Sequence, residues 1–237
     1  MNNYKKLESG RSMIEMLGVL AIIGVLSVGG IAGYSKAMNK FKTNKVADNV
    51  SMIVTNIRTL YAQQSTYEGL TNITAVKMGV VPDELYKTVP TNATTGLTNA
   101  FLGSVVIGAT PVTGLDGEAT SDTAGANRGF FVAMNGLTKE ACVTLATNDW
   151  GSGYSAGLVG ISVNGAAQTA APSTLKALNC PGVDGKGSAA TIACAGAKLG
   201  DKAGKDDKAI TTPLNVAKAA AACYSDGNAN SIVWVFY

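Results

Sequence analysis

The stretch that decides the fold runs from Arg11 to Gly33 and reads RSMIEMLGVLAIIGVLSVGGIAG. Its ionisable side chains, Arg11 and Glu15, both lie at its start, and the residues from Met16 to Gly33 are uncharged. A helix rises about 1.5 Å per residue, so these roughly 18 residues span about 27 Å, close to the ~30 Å hydrocarbon core of a bilayer. The segment is therefore predicted to be a helix that can lie in a membrane.

A short basic leader, residues 1–10, precedes this stretch and ends at Gly10. An ordinary secretory signal places its apolar run before the cleavage site, so the run is removed with the leader. Here the small-residue junction Gly10–Arg11 comes first, and cleavage there would leave the apolar segment at the new N-terminus. The positive charges of Lys5, Lys6 and Arg11 predict that this end is cytoplasmic and that the rest of the chain is translocated.

Lys5, Lys6, Gly10, Glu15 and the apolar run together resemble the processing signature of type IV prepilins. In that family a prepilin peptidase cuts after a glycine, and the mature chain carries glutamate at its fifth residue. Counted from Arg11, Glu15 is the fifth. The resemblance directly covers about the first sixty residues, and it implies cleavage between Gly10 and Arg11 followed by methylation of the new amine. Arg11 departs from the apolar residue that the family usually carries there.

The branch of the family is indicated by Ala32, which stands where type IVa pilins carry a proline. The resemblance therefore implies a type IVb-like pilin. It also implies a role for Glu15: the carboxylate is neutralised by the α-amine of the mature Arg11, in the same subunit or in one already in the fibre.

Beyond Tyr34 the pattern becomes amphipathic, and the helix is predicted to continue without proline to about Gln64. We expect residues 11–34 to be the membrane anchor and later the fibre core, and residues 35–64 to pack on a globular head, residues 65–237. The apolar positions recur at spacings of three and four: Val46, Val50, Ile53, Ile57, Leu60 and Tyr61. The interspersed lysines fit a solvated face, contacts with lipid headgroups, or charge pairing between subunits.

Glycine recurs inside the apolar helix, at Gly18, Gly24, Gly29, Gly30 and Gly33. Each costs about 1 kcal/mol relative to alanine in a helix in water. Small residues let helices approach closely in a membrane, and the Gly29–Gly30 pair offers a place where the helix can stretch. Simple tolerance of glycine in a membrane span is the alternative.

The head is predicted to be α+β, with an antiparallel sheet and interspersed helices, and this order is that of the pilin fold. Helical segments are expected at 73–78, 82–86, 137–148 and 213–223. Strands are expected at 101–107, 129–134, 158–163 and 231–237, the last in the middle of the sheet because it is the most apolar. Residues 166–209 are rich in Ala, Gly, Ser and Lys, which indicates a long exposed excursion.

The cysteines number four, all in the second half: Cys142, Cys180, Cys194 and Cys223. An even number beyond a membrane segment indicates two disulfides formed in an oxidising compartment, in any of three pairings. The resemblance to pilins favours Cys142–Cys223 with Cys180–Cys194, which closes region 142–223. With no C-x-x-C motif and no histidine, we expect no metal site, no cofactor and no enzymatic activity.

The predicted function is that of a structural subunit, held in the inner membrane and polymerised into an extracellular fibre for adhesion, aggregation or DNA transfer. Its partners would be other copies, the prepilin peptidase, and an assembly platform with its ATPase. The formal charge of +3 does not indicate nucleic-acid binding. The alternatives are a minor pilin or type II secretion pseudopilin and, in another class, a singly anchored periplasmic enzyme or binding protein.

Overall fold

The structure, a computed structural model, describes residues 8–110, 127–150, 157–164, 166–169, 192–193, 216–225 and 227–236. The chain divides into two compact units, Met1–Phe41 and Lys42–Tyr237. The helices are α1 (Glu8–Tyr61), α2 (Asn72–Lys77), a 3-10 turn (Asp83–Leu85), α3 (Lys139–Ala146) and α4 (Val216–Ala222). The strands are β1 (Val105–Thr110), β2 (Gly129–Leu137), β3 (Leu158–Asn164), β4 (Ile192–Ala193) and β5 (Asn230–Phe236).

The second half of α1 contributes one face to the hydrophobic core of the head. Its buried residues follow the helical period: Val46, Val50, Ile53, Val54, Ile57 and Tyr61. The predicted stripe is confirmed except at Leu60, which is 51% exposed. Successive residues turn by about 100° in a helix, which places Leu60 at the edge of the buried arc, beyond Ile53. The core does not reach that edge in the last turn.

The described strands form one antiparallel sheet in the order β1-β2-β5-β3-β4. β5 pairs with β2 on one side and with β3 on the other, and all seven of its residues are buried. This burial explains its run of large apolar residues, and the predicted central position of the C-terminal strand is confirmed. The α+β class, with one long N-terminal helix and an antiparallel sheet, is confirmed as well.

β1 begins at Val105, four residues later than predicted. The apolar pair Phe101–Leu102 suggested a strand, but these residues form a turn in which the Asn99 side-chain oxygen accepts hydrogen bonds from the Phe101 and Gly103 amides, at 2.9 and 3.1 Å. A side chain that binds nearby amides competes with ladder pairing. The local chemistry of Asn99 therefore overrides the strand propensity of its neighbours.

The outer edge of β1 is covered by the segment that leads into α2. The Ile107 amide donates to Oδ1 of Asn72 at 2.7 Å, and Asn72 Nδ2 donates to the Val105 carbonyl at 2.9 Å. The Ala109 amide donates to the Leu70 carbonyl at 3.2 Å. The buried Asn72 side chain thus replaces a neighbouring strand and keeps this edge from pairing with another chain.

β2 extends three residues beyond its predicted end, across an irregularity between Met134 and Leu137. Asn135 and Gly136 lie in this bulge, and Gly136 has a φ of 71°. A Cβ at Gly136 would lie 2.6 Å from the Cα of Gly103. Two glycines therefore allow the bulge and the 99–103 turn to approach backbone to backbone.

Aromatic rings connect the end of α1 to the sheet. Tyr61 packs on Tyr67 at 5.1 Å between ring centroids, Tyr67 on Phe130 at 4.8 Å, and Phe130 on Phe236 at 5.4 Å. Burial raises the pKa of Tyr67, an effect that the nearby positive charge of Arg58 opposes. These contacts make the final turns of α1 part of the head.

A disulfide between Cys142 and Cys223 joins α3 to the chain just after α4. This is the pairing expected from the resemblance. Cys180 and Cys194 lie outside the described residues, as does most of the predicted excursion at 166–209. Within that range the structure adds β4, a strand not predicted, which pairs with Ser162 and Val163 of β3.

Candidate functional site

The first half of α1 carries a continuous apolar surface that the described residues leave exposed. Each of its large apolar side chains is between 51% and 76% exposed. We call this set the apolar helix surface: Met13, Ile14, Met16, Leu17, Val19, Leu20, Ile22, Ile23, Val25, Leu26, Val28 and Ile31. Isolated exposed apolar residues are common, but a contiguous patch of this size marks an interaction with a membrane or another protein.

The helix that carries this surface is long and apolar enough to cross a membrane, and its most apolar window has no buried residue. Buried core helices of soluble proteins pass the same test of length and composition, but they are covered by their own chain. Here the described part of the chain buries none of that window.

Glu15 is exposed and lies near the start of this surface. Arg11 precedes it by one helical turn, because both residues fall within α1 and residues four apart are neighbours on a helix face. An ionised carboxylate in hydrocarbon costs a few kcal/mol even on lenient scales, unless a cation compensates it. The backbone thus places the Arg11 position, the predicted new N-terminus, where a positive charge could meet Glu15.

The glycines of the apolar helix have no packing role inside the described part of the chain. A Cβ built at Gly18, Gly24, Gly29, Gly30 or Gly33 would meet no described atom within 4 Å outside the local helix backbone. The helix also runs unbroken through Gly29–Gly30. Among the described residues, therefore, no packing contact accounts for the missing side chains.

The Cys142–Cys223 disulfide links α3 to the residue that follows α4. Both cysteines are fully buried, their Cα atoms are 5.9 Å apart, and 81 positions separate them in sequence. Asn230, also fully buried, donates to the carbonyls of Leu137 and Ser225. The central strand is thereby attached to the end of β2 and to the chain that follows the disulfide.

Sequence reasoning missed the buried asparagines that organise the head. Asn72 covers the edge of β1, Asn99 builds a turn, and Asn230 ties β5 to its neighbours. Asn135 exchanges two hydrogen bonds with the backbone of Gln168, at 2.7 and 3.0 Å, which fixes the start of the chain beyond β3. The sequence offered one signal, the Asn135–Gly136 dipeptide, which is typical of turns and bulges.

No group of three or more His, Cys, Asp or Glu side chains suited to a metal ion occurs in the described ranges. The features that stand out are therefore a large uncovered apolar surface, one carboxylate at its start, and a disulfide-closed head.

The model of the Bundlin family matches residues 35–206, which is most of the chain. The chain belongs to the bundlin family. The major structural subunit of bundle-forming pilus from Escherichia coli O127:H6 (strain E2348/69 / EPEC) is 30% identical to this pilin over 161 residues, 68% of this chain and 74% of its own. The toxin coregulated pilin of Vibrio cholerae serotype O1 is 27% identical over 153 residues, 62% of this chain and 60% of its own.

Two solved pilins are similar in structure to this bundlin-family pilin. A type IV b pilin from Salmonella typhi is 17% identical and gives a TM-score of 0.42 over 79% of this chain and 94% of its own. TcpA, a type IV pilin from Vibrio cholerae El Tor biotype, is 18% identical and gives a TM-score of 0.43 over 83% of this chain and 99% of its own.

Family membership confirms the resemblance to type IV pilins and identifies this chain as a structural pilus subunit. The family is one of fibre subunits, not of known enzymes. Its model begins at residue 35, so the match rests on the head and the second half of α1. The apolar helix surface and Glu15 lie ahead of the matched range.

Proposed function

We propose that this pilin is cut after Gly10, stored in the inner membrane with its N-terminus in the cytoplasm, and polymerised through its N-terminal helix into an extracellular fibre. Residues 1–10 are the leader and residues 11–34 serve first as membrane anchor and then as fibre core. Residues 35–64 join this segment to the head, residues 65–237, whose region 142–223 is closed by disulfides.

The observation that carries this proposal is the apolar helix surface, at least half exposed at every large side chain from Met13 to Ile31. Moving these twelve side chains from water into an apolar environment would be favourable by about 18 to 36 kcal/mol in total. A surface of that size is stable only in contact with lipid or with copies of itself. The two environments correspond to the stored subunit and the assembled fibre.

Polymerisation gains little from the hydrophobic effect, because the subunit leaves a lipid environment that is already apolar. Specific packing must therefore add to the drive. The open positions at Gly24, Gly29, Gly30 and Gly33 suit the close approach of neighbouring helices. The remaining work is assigned to an assembly platform and its ATPase, after a prepilin peptidase has released the new N-terminus.

Glu15 sets the register of each incoming subunit in this proposal. Its carboxylate pairs with the free α-amine of Arg11, in the same or a neighbouring subunit. The attraction between two such charges is strong where water is excluded and weak where it is not. A misaligned helix leaves the carboxylate unpaired in an apolar environment, so the pair rejects incorrect registers.

The curated relatives in Escherichia coli are major structural subunits of bundle-forming pilus. We assign the same major role to this pilin, in a fibre used for adhesion, aggregation or DNA transfer. Fibres sheared from cells should contain this chain as their most abundant protein. A trace amount in fibres built from another pilin would instead identify a minor subunit.

Mass spectrometry of fibre-derived protein tests the processing step. The expected N-terminal peptide begins at Arg11. An intact Met1 on the mature protein would contradict cleavage and would favour a plain membrane anchor.

A further inference from the structure

Leu102 has an unusual combination of backbone and exposure. Among the residues that the structure describes, it is the one non-glycine residue with a positive φ, at 64°. Its side chain is also 86% exposed, more than any side chain of the apolar helix surface. A positive φ strains every residue with a Cβ, and leucine lacks the polar side chain that helps Asn and Asp adopt this conformation.

The surrounding turn holds this conformation firmly. The Leu102 amide donates to the Asn99 carbonyl at 2.9 Å, and the Asn99 amide donates to the Gly103 carbonyl at 2.9 Å. Asn99 Nδ2 anchors the turn to the sheet by donating to the Asn135 carbonyl at 2.8 Å. A Cβ at Gly103 would lie 1.8 Å from that same carbonyl oxygen, so position 103 must be glycine.

Folding of the subunit does not explain a leucine at position 102. Glycine is the usual residue where a short hairpin turn needs a positive φ. Leu102 contributes little to the core, because the apolar anchor of this turn is its neighbour Phe101, which is only 7% exposed. Strained residues that the surrounding structure enforces cluster at sites of function. An apolar side chain projected outward at an energetic cost indicates a contact with another molecule.

The location of the turn and the family of the chain together indicate that molecule. Lys42 Nζ lies 5.7 Å from the centroid of the Phe101 ring, and Lys42 directly follows Phe41 in α1. The turn therefore lies at the part of the head that is joined to the proposed assembly helix. The chain belongs to a family of pilus subunits, so the molecules that surround each head in the proposed fibre are other copies of this chain.

We propose that Leu102 is a contact residue between heads of adjacent subunits, inserting its side chain into the surface of a second copy of this chain. This inference rests on the proposed polymerisation and adds a head-to-head contact to the helix contact. In this proposal, the strained turn keeps the Leu102 side chain exposed in the free subunit, and a neighbouring subunit buries that side chain in the fibre.

Thiol labelling tests whether assembly covers this position. In the variant Leu102→Cys, a maleimide should react readily with detergent-solubilised subunits and about tenfold more slowly with intact fibres, because the reagent must reach the thiolate. Labelling should return when the fibres are dissociated. The native chain, measured in parallel, gives the background from its own cysteines. Equal labelling of subunits and fibres would overturn the proposal, whereas a failure of native fibres to form would count against the proposed function itself.

Assembly of a polar variant provides the second test. Asparagine tolerates a positive φ, so Leu102→Asn should leave the melting temperature of the solubilised subunit unchanged or higher while reducing the yield of sheared fibres several-fold. Val89→Asn is the matched control, since Val89 is an exposed aliphatic residue, at 47%, outside the strained turn. A lower melting temperature with normal fibre yield would show that the leucine serves folding. Equal losses of yield in both variants would remove the special role of Leu102.

Discussion

The two compact units of this pilin differ in the exposure of their large apolar side chains. From Met13 to Ile31, α1 exposes every large apolar side chain, whereas from Val46 to Tyr61 the same helix buries the stripe that faces the core. The helix is one element of 54 residues, so secondary structure does not distinguish its halves. The difference is what covers the apolar side chains: the head covers those of the second half, and in the proposed function lipid or other copies cover those of the first half.

This contrast explains the distribution of other features. The disulfide, the aromatic contacts and the buried asparagines all lie in the unit that completes its own core. The helix glycines with open space around them lie in the unit that does not. Substitutions of buried residues in the head should therefore change subunit stability, while substitutions in the apolar helix should change assembly.

Loss of the disulfide should give the largest effect on the head. In the loop-entropy model, a bridge closing 81 positions contributes about 4 to 5 kcal/mol, a large share of the ~5 to 15 kcal/mol that stabilises a typical domain. The double variant Cys142→Ser, Cys223→Ser should unfold at a much lower urea concentration, as measured by fluorescence of the buried Trp234 in mild detergent. Its insertion into membranes should be normal. An unchanged midpoint would show that the head does not depend on this bridge.

A matched pair of isoleucines compares the two halves of α1 directly. Ile57 is fully buried and Ile23 is 53% exposed. Ile57→Ala should destabilise the head by about 2 to 5 kcal/mol, because it removes buried apolar atoms and leaves a cavity. Ile23→Ala should leave the unfolding midpoint of the solubilised subunit unchanged. Similar destabilisation by both changes would mean that the first half is covered within the subunit.

The head and the helix halves were predictable from the sequence because strong, redundant patterns specify them. The apolar run, the stripe with spacings of three and four, and the central strand Asn230–Phe236 each rest on several residues, so a single exception such as Leu60 does not change the outcome. The start of β1 depends on one side chain, Asn99, and was predicted wrongly. Strand β4 has two residues, which are too few to show the alternation of apolar and polar residues that predicts a strand.

Contacts made by single polar side chains over long sequence distances were also beyond prediction. Asn72 binds the backbone at Val105 and Ile107, more than thirty residues away, at an edge that only the folded sheet creates. The strain at Leu102 depends likewise on the approach of Gly103 to the β2 bulge. Sequence patterns report which face is apolar, but they do not report which loops meet.

The helix glycines should give the smallest effect on the isolated subunit. Gly29→Ala meets no described neighbour and should make the helix more favourable by about 1 kcal/mol. If neighbouring helices pack closely there, the same change should lower fibre yield. Ala32→Gly is the control, since it alters helix propensity in the opposite direction without adding bulk. A normal yield of fibres from Gly29→Ala would show that glycine is simply tolerated at this position.

The yield of sheared fibres from Glu15→Gln shows whether assembly depends on a carboxylate paired at the start of the apolar helix. This change removes the charge and keeps the shape, and Glu68→Gln, at an exposed position of the head, is the matched control. Glu15→Gln should be processed and inserted normally but incorporated into fibres at a small fraction of the native level, while Glu68→Gln should assemble normally. Native fibre yield from Glu15→Gln would contradict this dependence.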